Sequence, residues 1–408
     1  MARVLYLSQR IPFPPHKGEK IRPWQFLRHM ARDHEVHFGC LMDDPDDWQH
    51  RPRIQALCRD TCFAPLDPRL ARVRCLAGLA TGEPLSVRFF RSARLMRWVR
   101  RVIDGVAPDL IVIFSSCMAQ YVPRAAFRAR PTIMDFADVD SEKWRAYGAE
   151  TTGAMGWVYR REARRVLAFD RDIARAAAAS LFVSEPEAAL FRSLAPESAA
   201  KVHSIANGVD ADYFSPRHHF ERPFNGAGPV FVFTGSMDYK PNVDAVTWFA
   251  ERILPALRGT APATEFCIVG GRPAAAVQRL AARPGVTVTG RVPDVRPYLA
   301  HATAAVAPMF IARGIQNKVL EAMAMARPMV TTTDGLTGIE AEAGAEVVVV
   351  DDAAGFVAAC QRIAAGGAAA AIGAGARDRV VRDYSWAAQL ERFDQIAART
   401  LRCGDAPV

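Results

Sequence analysis

The sequence lacks several features that mark well-known protein classes. It has no run of 18 or more uninterrupted apolar residues, so no membrane-spanning helix is expected. Its eight cysteines form no C-x-x-C pair and lie apart from suitably spaced histidines, which argues against a zinc site. The start, MARVLYLSQR, lacks the apolar core and the cleavage site of a signal peptide. We therefore expect a cytoplasmic protein with reduced, mostly buried thiols.

The amino-acid composition is typical of an ordinary globular protein. Half of the 408 residues are apolar and 23% are charged, which is typical of folded chains rather than disordered ones. A chain of this length exceeds one ordinary core, so two domains are expected. No HExxH motif and no Ser-His-Asp arrangement is visible, so the histidines are interpreted as structural.

The positive charge is concentrated in the first half of the chain. Residues 1–210 contain 32 Lys and Arg against 24 Asp and Glu, whereas residues 211–408 contain 20 against 19. Residues 69–101 alone carry nine arginines and one acid, Glu83, interleaved with Phe89, Phe90 and Trp98. Such a segment can meet an anionic membrane or a nucleic acid, or it can be an ordinary amphipathic helix with solvated arginines.

Short apolar runs alternate with helical patterns along the whole chain. The predicted strands are residues 3–8, 35–42, 109–116, 131–138, 180–184, 201–206, 230–236, 265–271, 286–290, 304–309, 328–332 and 346–350. Strands of nearly continuous apolar character, separated by helices, predict parallel sheets covered on both faces. A stretch rich in Gly, Pro, Asn and Asp at 207–229 is typical of a linker. We predict doubly wound α/β domains at 1–209 and 210–385 that face each other across a cleft, with helix 386–401 packing back on the first.

Polar residues follow the strand AAVAPM (304–309) and open the next helix. Gly314 permits close approach of a ligand to the backbone, and Asn317 or a neighbour begins the helix, whose N-terminus favours anions. Lys318 adds a positive charge suited to phosphate, and Glu321 can accept hydrogen bonds from the hydroxyls of a ribose. The stretch thus fits a nucleoside diphosphate, the alternative being an ordinary capped helix with polar surface residues.

Five further motifs make a family resemblance specific. They are NGVDADYF (207–214), FVFTGSMDYKPNVDAVTWF (231–249), IVGG (268–271), GRVPDVRPYLAHA (290–302) and NKVLEAMAMARPMVTT (317–332). In this order they resemble the family 4 glycosyltransferases, which are retaining enzymes of the GT-B fold. GSMDYKPN, with QRIPFPPHKGEK (9–20) and DFADVDSEKW (135–144), resembles the exosortase-associated subgroup found with exopolysaccharide genes.

The resemblance implies roles for individual residues in donor binding. Many family members place a Glu-x7-Glu pair here; Glu321 matches the second, ribose-binding Glu, whereas Arg313 stands in place of the first, sugar-binding one. Ser236 stands where an Arg commonly holds the diphosphate, so Lys240 and Lys318 are expected to supply the charge. The predicted donor-binding residues are Gly18, Gly235, Ser236, Asn242, Arg291, Val292, Arg313, Gly314, Ile315, Gln316, Asn317, Lys318 and Glu321, of which Arg291 and Val292 match the loop that holds the base.

The first domain is expected to contribute the other wall of the site. Gly18, flanked by Lys17 and Lys20, stands where the family commonly has two glycines and fits a phosphate, an acceptor or a plain basic loop. Three acids, Asp135, Asp138 and Asp140, follow a predicted strand and can bind sugar hydroxyls, orient an acceptor or hold a divalent ion. The alternative is that Asp140 or Ser141 caps a helix while Asp138 is solvated.

The resemblance implies sugar transfer from a UDP- or GDP-sugar to a glycan or polyprenyl-linked acceptor with retention of configuration. The predicted catalytic residues are Lys318, Lys240 and Asp138. GT-B enzymes generally need no bound metal, so neither metal nor cofactor is expected. The protein is expected in the cytoplasm, with docking on the inner membrane surface through 69–101 and no nucleic-acid partner. The alternatives are a GT-B sugar-nucleotide epimerase and an inactive nucleotide-sugar-binding protein.

Overall fold

The apolar runs of the sequence form two parallel β-sheets in the computed structural model, which describes residues 1–15, 18–311 and 315–404. The chain divides into two compact units, one from Met1 to Ala206 together with the residues from Leu390 onward, the other from Asn207 to Gln389. The first boundary lies three residues before the predicted one.

The first unit contains a seven-stranded sheet. Its strands are β1 (Arg3–Arg10), β2 (Glu35–Met42), β3 (Asp60–Pro65), β4 (Leu110–Phe114), β5 (Thr132–Ala137), β6 (Ala179–Phe182) and β7 (Val202–Ser204), in the order β3-β2-β1-β4-β5-β6-β7. Its helices are α1 (Gly18–Asp33), α2 (Arg51–Gln55), α3 (Pro68–Cys75), α4 (Gly78–Thr81), α5 (Leu85–Phe89), α6 (Ala93–Gly105), α7 (Arg124–Ala129), α8 (Asp140–Glu150), α9 (Gly153–Ala176) and α10 (Glu185–Leu194).

Burial explains why this sheet is parallel and central. All five residues of β4 are buried, and β4 pairs in parallel with β1 from Val4 opposite Leu110 to Ser8 opposite Phe114. A strand can be apolar on both faces only where helices cover both faces of the sheet. The six strands predicted for this half are confirmed, whereas β3 was not predicted.

The aromatic residues of the arginine-rich segment face inward. Trp98 is 6% exposed and its indole Nε1 donates to Oδ2 of Asp60 at 2.8 Å, while Phe89 and Phe90 pack against the same core. With these three rings turned toward the core, membrane docking through residues 69–101 would depend on the charges of the segment rather than on these aromatic side chains. The single helix predicted near 88–104 is also two, α5 and α6, separated by a short break.

The second unit contains a six-stranded parallel sheet. Its strands are β8 (Val230–Thr234), β9 (Glu265–Val269), β10 (Val286–Gly290), β11 (Ala304–Ala307), β12 (Met329–Thr331) and β13 (Val348–Val349), in the order β10-β9-β8-β11-β12-β13. Its helices are α11 (Lys240–Trp248), α12 (Leu254–Thr260), α13 (Ala275–Leu280), α14 (Arg296–Ala300), α15 (Asn317–Ala324), α16 (Ala353–Ala364) and α17 (Ala369–Arg379). All six strands predicted for this half are confirmed.

The last helix, α18 (Trp386–Gly404), begins in the second unit and belongs to the first from Leu390 onward. Within the first unit, its Phe393 ring packs edge-on against Phe26 of α1 with centroids 4.8 Å apart. Its Asp394 also lies 2.8 Å from Nε2 of His29. These contacts attach the C-terminal helix to α1.

Two further properties concern the described ranges only. No single helix there is long and apolar enough to cross a membrane, although Ala353–Ala364 and Ala369–Tyr384, bent by 102°, together satisfy the length and composition criteria. Cys40, Cys58, Cys62, Cys75, Cys117, Cys267 and Cys360 are free thiols, and five of these seven are buried.

Candidate functional site

The loops after β8 and β9 meet at the carboxyl ends of the second sheet. The Gly235 amide donates to the Val269 carbonyl at 3.0 Å, and the Met237 amide donates to the Gly271 carbonyl at 3.0 Å. A Cβ atom on Gly270 would lie 1.7 Å from the Gly235 carbonyl oxygen, so only glycine permits this approach. In open α/β sheets this edge is where ligands bind.

Lys318 is held at this edge by neutral oxygens. Its Nζ atom donates to Oδ1 of Asn242 at 3.0 Å and to Oε1 of Gln316 at 3.1 Å, and it lies 5.3 Å from the centroid of the Phe233 ring. Neither of these two oxygens neutralises the ammonium charge. Burial lowers the pKa of Lys318 to about 8. The ammonium group is thus partly desolvated and positioned to receive an anion.

Asn242 connects Lys318 to the loop after β8. The Asn242 side chain is buried, and its Nδ2 atom donates to the Ser236 carbonyl at 2.9 Å. A Cβ atom on Gly235 would lie 2.8 Å from that Nδ2 atom and 3.4 Å from Cε of Lys318. The structure therefore brings five of the predicted donor-binding residues into one cluster: Gly235, Ser236, Asn242, Gln316 and Lys318.

Helix α15 begins beside this cluster. Its first residue is Asn317 and its N-cap residue is Gln316, whose side chain does not cap the helix. The Gln316 carbonyl accepts from the Val319 amide at 2.9 Å. Glu321 follows one turn into the helix, where burial raises its pKa to about 7 against the attraction of Lys318. An acid and a base with displaced pKa values therefore share one end of the helix.

Lys240 is less well placed than Lys318. It is the first residue of α11, its side chain is 79% exposed, and it forms an ion pair with Asp244 one turn farther along the helix. Its charge is therefore partly compensated and lies in solvent. Of the two predicted phosphate-binding lysines, only Lys318 lies in the cluster around Asn242.

Sequence reasoning missed Arg272. This arginine follows the two glycines after β9, has a positive φ of 54° and places Nε 3.1 Å from Oδ2 of Asp238. Its Nη2 atom donates to Oγ of Ser236 at 3.4 Å, and Ser236 donates to Asp238 at 2.6 Å. The Ser236 hydroxyl, and then Arg272, lower the pKa of Asp238. A guanidinium group thus stands beside the serine that replaces the expected arginine, although, like Lys240, it is largely exposed and paired with an acid.

The loop after β10 contributes a second cluster. Arg291 is exposed, and a Cβ atom added to Gly271 would lie 3.5 Å from the Cβ atom of Arg291. Val292 is half-buried. Arg296 forms an ion pair with Asp294 at 2.7 Å, and its guanidinium carbon lies 3.6 Å from the centroid of the Tyr213 ring. Burial, Asp294 and Glu321 raise the pKa of Tyr213, with Arg296 opposing them.

Tyr213 was not assigned a role from the sequence. Its electrostatic interaction with Glu321 places it near the predicted ribose-binding carboxylate. The feature of the sequence that could have pointed to Tyr213 is its position inside the motif NGVDADYF (207–214). Ile315, another predicted donor-binding residue, is half-buried just before α15, whereas Arg313 and Gly314 lie outside the described residues, so their roles stay predictions.

The basic loop of the first unit differs from the expectation. Gly18 begins α1, but Lys20 is buried and its Nζ atom forms an ion pair with Oδ1 of Asp47 at 2.6 Å. Lys20 is therefore neither an exposed loop residue nor available to a phosphate, because it is buried and paired with Asp47. The role of Gly18 in donor binding stays a prediction. Lys17 lies outside the described residues.

The three acids at the carboxyl end of β5 do not share one position: Asp135 lies within the strand, and Asp138 and Asp140 follow it. Asp135 is buried and forms an ion pair with Nε of Arg22 at 2.7 Å; burial raises its pKa although Arg22 opposes the shift. Asp138 and Asp140 both form ion pairs with Lys143, at 3.0 and 2.9 Å. The N-cap residue of α8 is Val139, so capping by Asp140 or Ser141 is wrong.

Solved structures of the same architecture cover nearly the whole chain. Sucrose-phosphate synthase from Thermosynechococcus elongatus is 17% identical, with a TM-score of 0.66, and covers 99% of this chain and 100% of its own. Anabaena Alr3699/HepE in complex with UDP-glucose is 14% identical, with a TM-score of 0.62 and coverage of 98% and 100%. WaaG, a glycosyltransferase involved in lipopolysaccharide biosynthesis, is 16% identical, with a TM-score of 0.62 and coverage of 96% and 99%. The chain has the GT-B fold.

The sequence of this GT-B chain adds a finer match in the second unit. Residues 228–365 match the family model described as Glycosyl transferases group 1. That range contains the cluster around Lys318 and also Arg296, but not its neighbour Tyr213. A comparison with curated protein sequences found no match. Together, the domain match and the fold support a GT-B glycosyltransferase.

A metal-binding cluster is not found in the described ranges of this GT-B chain. There, no group of three or more His, Cys, Asp or Glu side chains is arranged to hold a metal ion. Charged groups that the structure describes at the carboxyl ends of the second sheet include Lys318, Glu321 and the ion pair of Arg272 with Asp238.

Proposed function

We propose that this protein transfers a sugar from a nucleotide-sugar donor to an acceptor hydroxyl. The observation that carries the proposal is the Lys318 ammonium group, held by the neutral oxygens of Asn242 and Gln316 at the start of α15. A helix N-terminus and a cation together stabilise an anion such as a diphosphate. The position of this cluster within the glycosyltransferase group 1 match supports the same conclusion.

The donor is proposed to be a UDP- or GDP-sugar. Its diphosphate contacts Lys318 and the first backbone amides of α15, and its ribose hydroxyls donate to Glu321. The base lies against the loop at Arg291 and Val292. The structure of Anabaena Alr3699/HepE with UDP-glucose, which shares this fold, supports the class of donor.

Catalysis is proposed to be mainly electrostatic. The bond between the anomeric carbon and the phosphate oxygen breaks, a bond to the acceptor oxygen forms, and the departing phosphate receives the acceptor proton. Negative charge grows on the diphosphate during this step, so Lys318 and the α15 amides contribute most where charge develops. This front-face route retains the anomeric configuration and needs no protein nucleophile.

The acceptor is proposed from the sequence resemblance. The motifs at 9–20 and 135–144 resemble those of enzymes of exopolysaccharide synthesis, whose acceptors are glycans carried on a polyprenyl lipid. Asp138 is proposed to orient the acceptor hydroxyl, and its ion pair with Lys143 fixes the position of its carboxylate. We place the enzyme in the cytoplasm, where nucleotide sugars are available.

One alternative has specific support. Ser236 and Arg313 replace residues that the family commonly uses for the diphosphate and the sugar, which is compatible with a nucleotide-sugar-binding protein that has lost activity. Measuring sugar release or transfer distinguishes the enzyme from the inactive binding protein, because the inactive protein would bind the donor without turning it over.

The test combines calorimetry and turnover. UDP and GDP are titrated into the protein and into Lys318→Met, and release of free sugar from UDP- and GDP-sugars is measured with both. We expect one nucleotide to bind, and Lys318→Met to lose both affinity and sugar release. If neither nucleotide binds the unmodified protein, the proposed function is wrong; binding without release supports the inactive alternative.

A further inference from the structure

A pocket of about 280 Å³ lies within the first unit, beside the edge strand β7. This volume is just below the usual range of about 300–1,000 Å³ for small-molecule sites, so the pocket suits a small ligand. Its walls come from α10, β7 and α18, and we call it the α10–β7–α18 pocket. Its ionisable lining residues are three arginines, a histidine and an acid: Arg192, Arg392, Arg399, His203 and Glu185.

Helix α18 supplies one wall of the pocket. Arg392, Ile396 and Arg399 are spaced by four and three residues, so they share one face of the helix. Phe393 and Ala397 are buried and attach the adjacent face to the core of the unit. Among the described residues, the Arg399 side chain forms no hydrogen bond or ion pair. Its guanidinium group is therefore available to a ligand.

Helix α10 supplies the opposite wall, where the acid of the pocket is already engaged. Arg192 pairs through Nη1 with Glu185 and donates from Nη2 to the Val202 carbonyl at 2.9 Å. Glu185 also accepts from Oγ of Ser204 at 2.8 Å. The guanidinium group of Arg192, and then the Ser204 hydroxyl, lower the pKa of Glu185. The negative charge of Glu185 is thus compensated by Arg192, and the pocket as a whole is positive.

His203 of β7 responds to this positive charge. Burial, followed by Arg192 and Arg399, lowers the pKa of His203 below its usual value of 6.5. Its imidazole ring has no hydrogen-bond partner in the part of the chain that the structure describes. A neutral imidazole still has one N–H donor. The ring and the two guanidinium groups therefore present donors to the pocket and repel further positive charge.

We propose that the α10–β7–α18 pocket binds the phosphate group of a small soluble molecule. Arg392 and Arg399 contact the phosphate oxygens from α18, while Arg192 and His203 contact them from the opposite wall. Planar guanidinium groups match phosphate oxygens in pairs of parallel hydrogen bonds. The inference goes beyond the proposed function and does not depend on it, because the Lys318 cluster belongs to the second unit.

The charge of the pocket favours a phosphate monoester over a carboxylate. A phosphate monoester carries about −1.5 to −2 charges at pH 7 and has three acceptor oxygens, whereas a carboxylate carries one charge and has two. The larger charge also offsets the repulsion from Glu185, which Arg192 already compensates. A bound phosphate would connect α18 with α10 and β7, so it should stabilise the folded first unit.

The experiment follows the His203 ring by NMR while inorganic phosphate, glycerol 3-phosphate or uncharged glycerol is added at constant ionic strength. The His203 signal is assigned through its loss in His203→Gln. Both phosphates should shift this signal and raise the pKa of His203, because an anion stabilises the imidazolium form. Glycerol should do neither.

Variants of Arg399 test the contact from α18. Arg399→Gln should weaken phosphate binding about tenfold, the loss of one hydrogen bond to a charged group. Without ligand, it should also raise the pKa of His203, since one repelling charge is gone. Arg399→Lys should recover part of the affinity, because it keeps the charge but not the planar fork. Thermal unfolding of each variant shows whether the fold is kept.

Two further variants are matched controls. Arg128→Gln removes the same charge from an exposed position on α7 of the same unit, and it should bind phosphate as the unmodified protein does. Lys318→Met removes the cation of the proposed donor site, and it should leave the response of His203 unchanged. UDP and GDP binding by Arg399→Gln should equal that of the unmodified protein, so failure of this proposal and failure of the proposed function are distinguished.

Three outcomes would overturn the proposal. The first is that neither phosphate shifts the His203 signal or its pKa. The second is an equal loss of affinity in Arg128→Gln and Arg399→Gln, which would show that total charge matters rather than this pocket. The third is phosphate binding that disappears in Lys318→Met and persists in Arg399→Gln, which would place the anion at the Lys318 cluster.

Discussion

The Nζ atom of Lys318 lies 3.0 Å from Oδ1 of Asn242. A residue of α11 therefore positions the ammonium group in the first turn of α15. Asn242 in turn is fixed by its bond to the Ser236 carbonyl after β8. The carboxyl ends of β8 and β11 are thereby joined through two side chains. This relationship leads to the first prediction.

Lys318→Ala should reduce turnover on the order of 10²-fold, the effect of losing one contact to developing charge. The fold should not weaken, because burial disfavours the ammonium form, as the lowered pKa of about 8 indicates. Turnover with saturating donor and thermal unfolding are measured together. Lys240→Ala should have the smaller effect on turnover, since its side chain is largely exposed and paired with Asp244. Near-normal turnover of Lys318→Ala would move the role to Lys240 or to backbone amides.

Glu321→Ala should weaken nucleotide binding by roughly 1.5–3 kcal/mol, the range for a hydrogen bond to a charged group. Calorimetry with the ribonucleotide and with its 2′-deoxy analogue tests the assignment, because the analogue should lose affinity for the unmodified protein but not for the variant. Glu251→Ala, an exposed acid of the same unit, serves as control. Unchanged affinity in Glu321→Ala would contradict ribose binding.

Nucleotide affinity should be greatest between about pH 7 and pH 8. Below about pH 7, Glu321, whose pKa burial raises to about 7, takes up a proton and no longer accepts as a carboxylate. Above about pH 8, Lys318, whose pKa burial lowers to about 8, loses its charge. Calorimetry across this range is the measurement. After the proton uptake of the free nucleotide is subtracted, Glu321→Gln should remove the fall in affinity below about pH 7. Lys318→Met should remove the fall in affinity above about pH 8.

Arg272→Gln should weaken binding of the nucleoside diphosphate by roughly tenfold, the loss of one charged hydrogen bond. The reason is the guanidinium group beside Ser236, which occupies the place of the expected arginine. Binding of the corresponding nucleoside, which lacks phosphate, should not change. Arg279→Gln, an exposed arginine of α13, is the control. Equal affinity of Arg272→Gln and the unmodified protein for the diphosphate would exclude this role.

The strands could be predicted because their apolar runs reflect burial on both faces. Leu110–Phe114 and Val230–Thr234 are buried at every position, and this is the pattern that a sequence displays directly. Strand β3 is different, since Asp60 and Thr61 open it and Pro65 ends it, so its apolar run is too short to recognise. Helices α3 and α4 were hidden for another reason, because large apolar residues on them face solvent.

The site could be predicted only in part, because several of its features depend on distant contacts. Lys318 and Glu321 belong to one motif, and their neighbourhood was visible in the sequence. Arg272 was not, because its meaning depends on the close approach of Gly270 to Gly235. The burial of Lys20 could not be predicted because its partner, Asp47, is 27 residues away in the chain.

The final prediction concerns Asp170, a buried carboxyl group of the first unit. Burial raises its pKa from 3.8 to about 8, and it accepts a hydrogen bond from Ser116. Between these two pH values the folded state holds a proton that the unfolded state has lost, so the free energy of unfolding should fall as pH rises through this window. The contribution of one such group is about 1.4 kcal/mol per pH unit at most.

Asp170→Asn should remove this slope, because the amide keeps an acceptor for Ser116 and does not ionise. Urea unfolding of both proteins from pH 5 to pH 8 should show the stability difference growing in favour of the variant as pH rises. Asp104→Asn, an exposed position on α6, should show no such trend. A difference that stays constant across the range would mean that Asp170 is ionised in the folded protein at neutral pH, and its environment would then have to stabilise the charge.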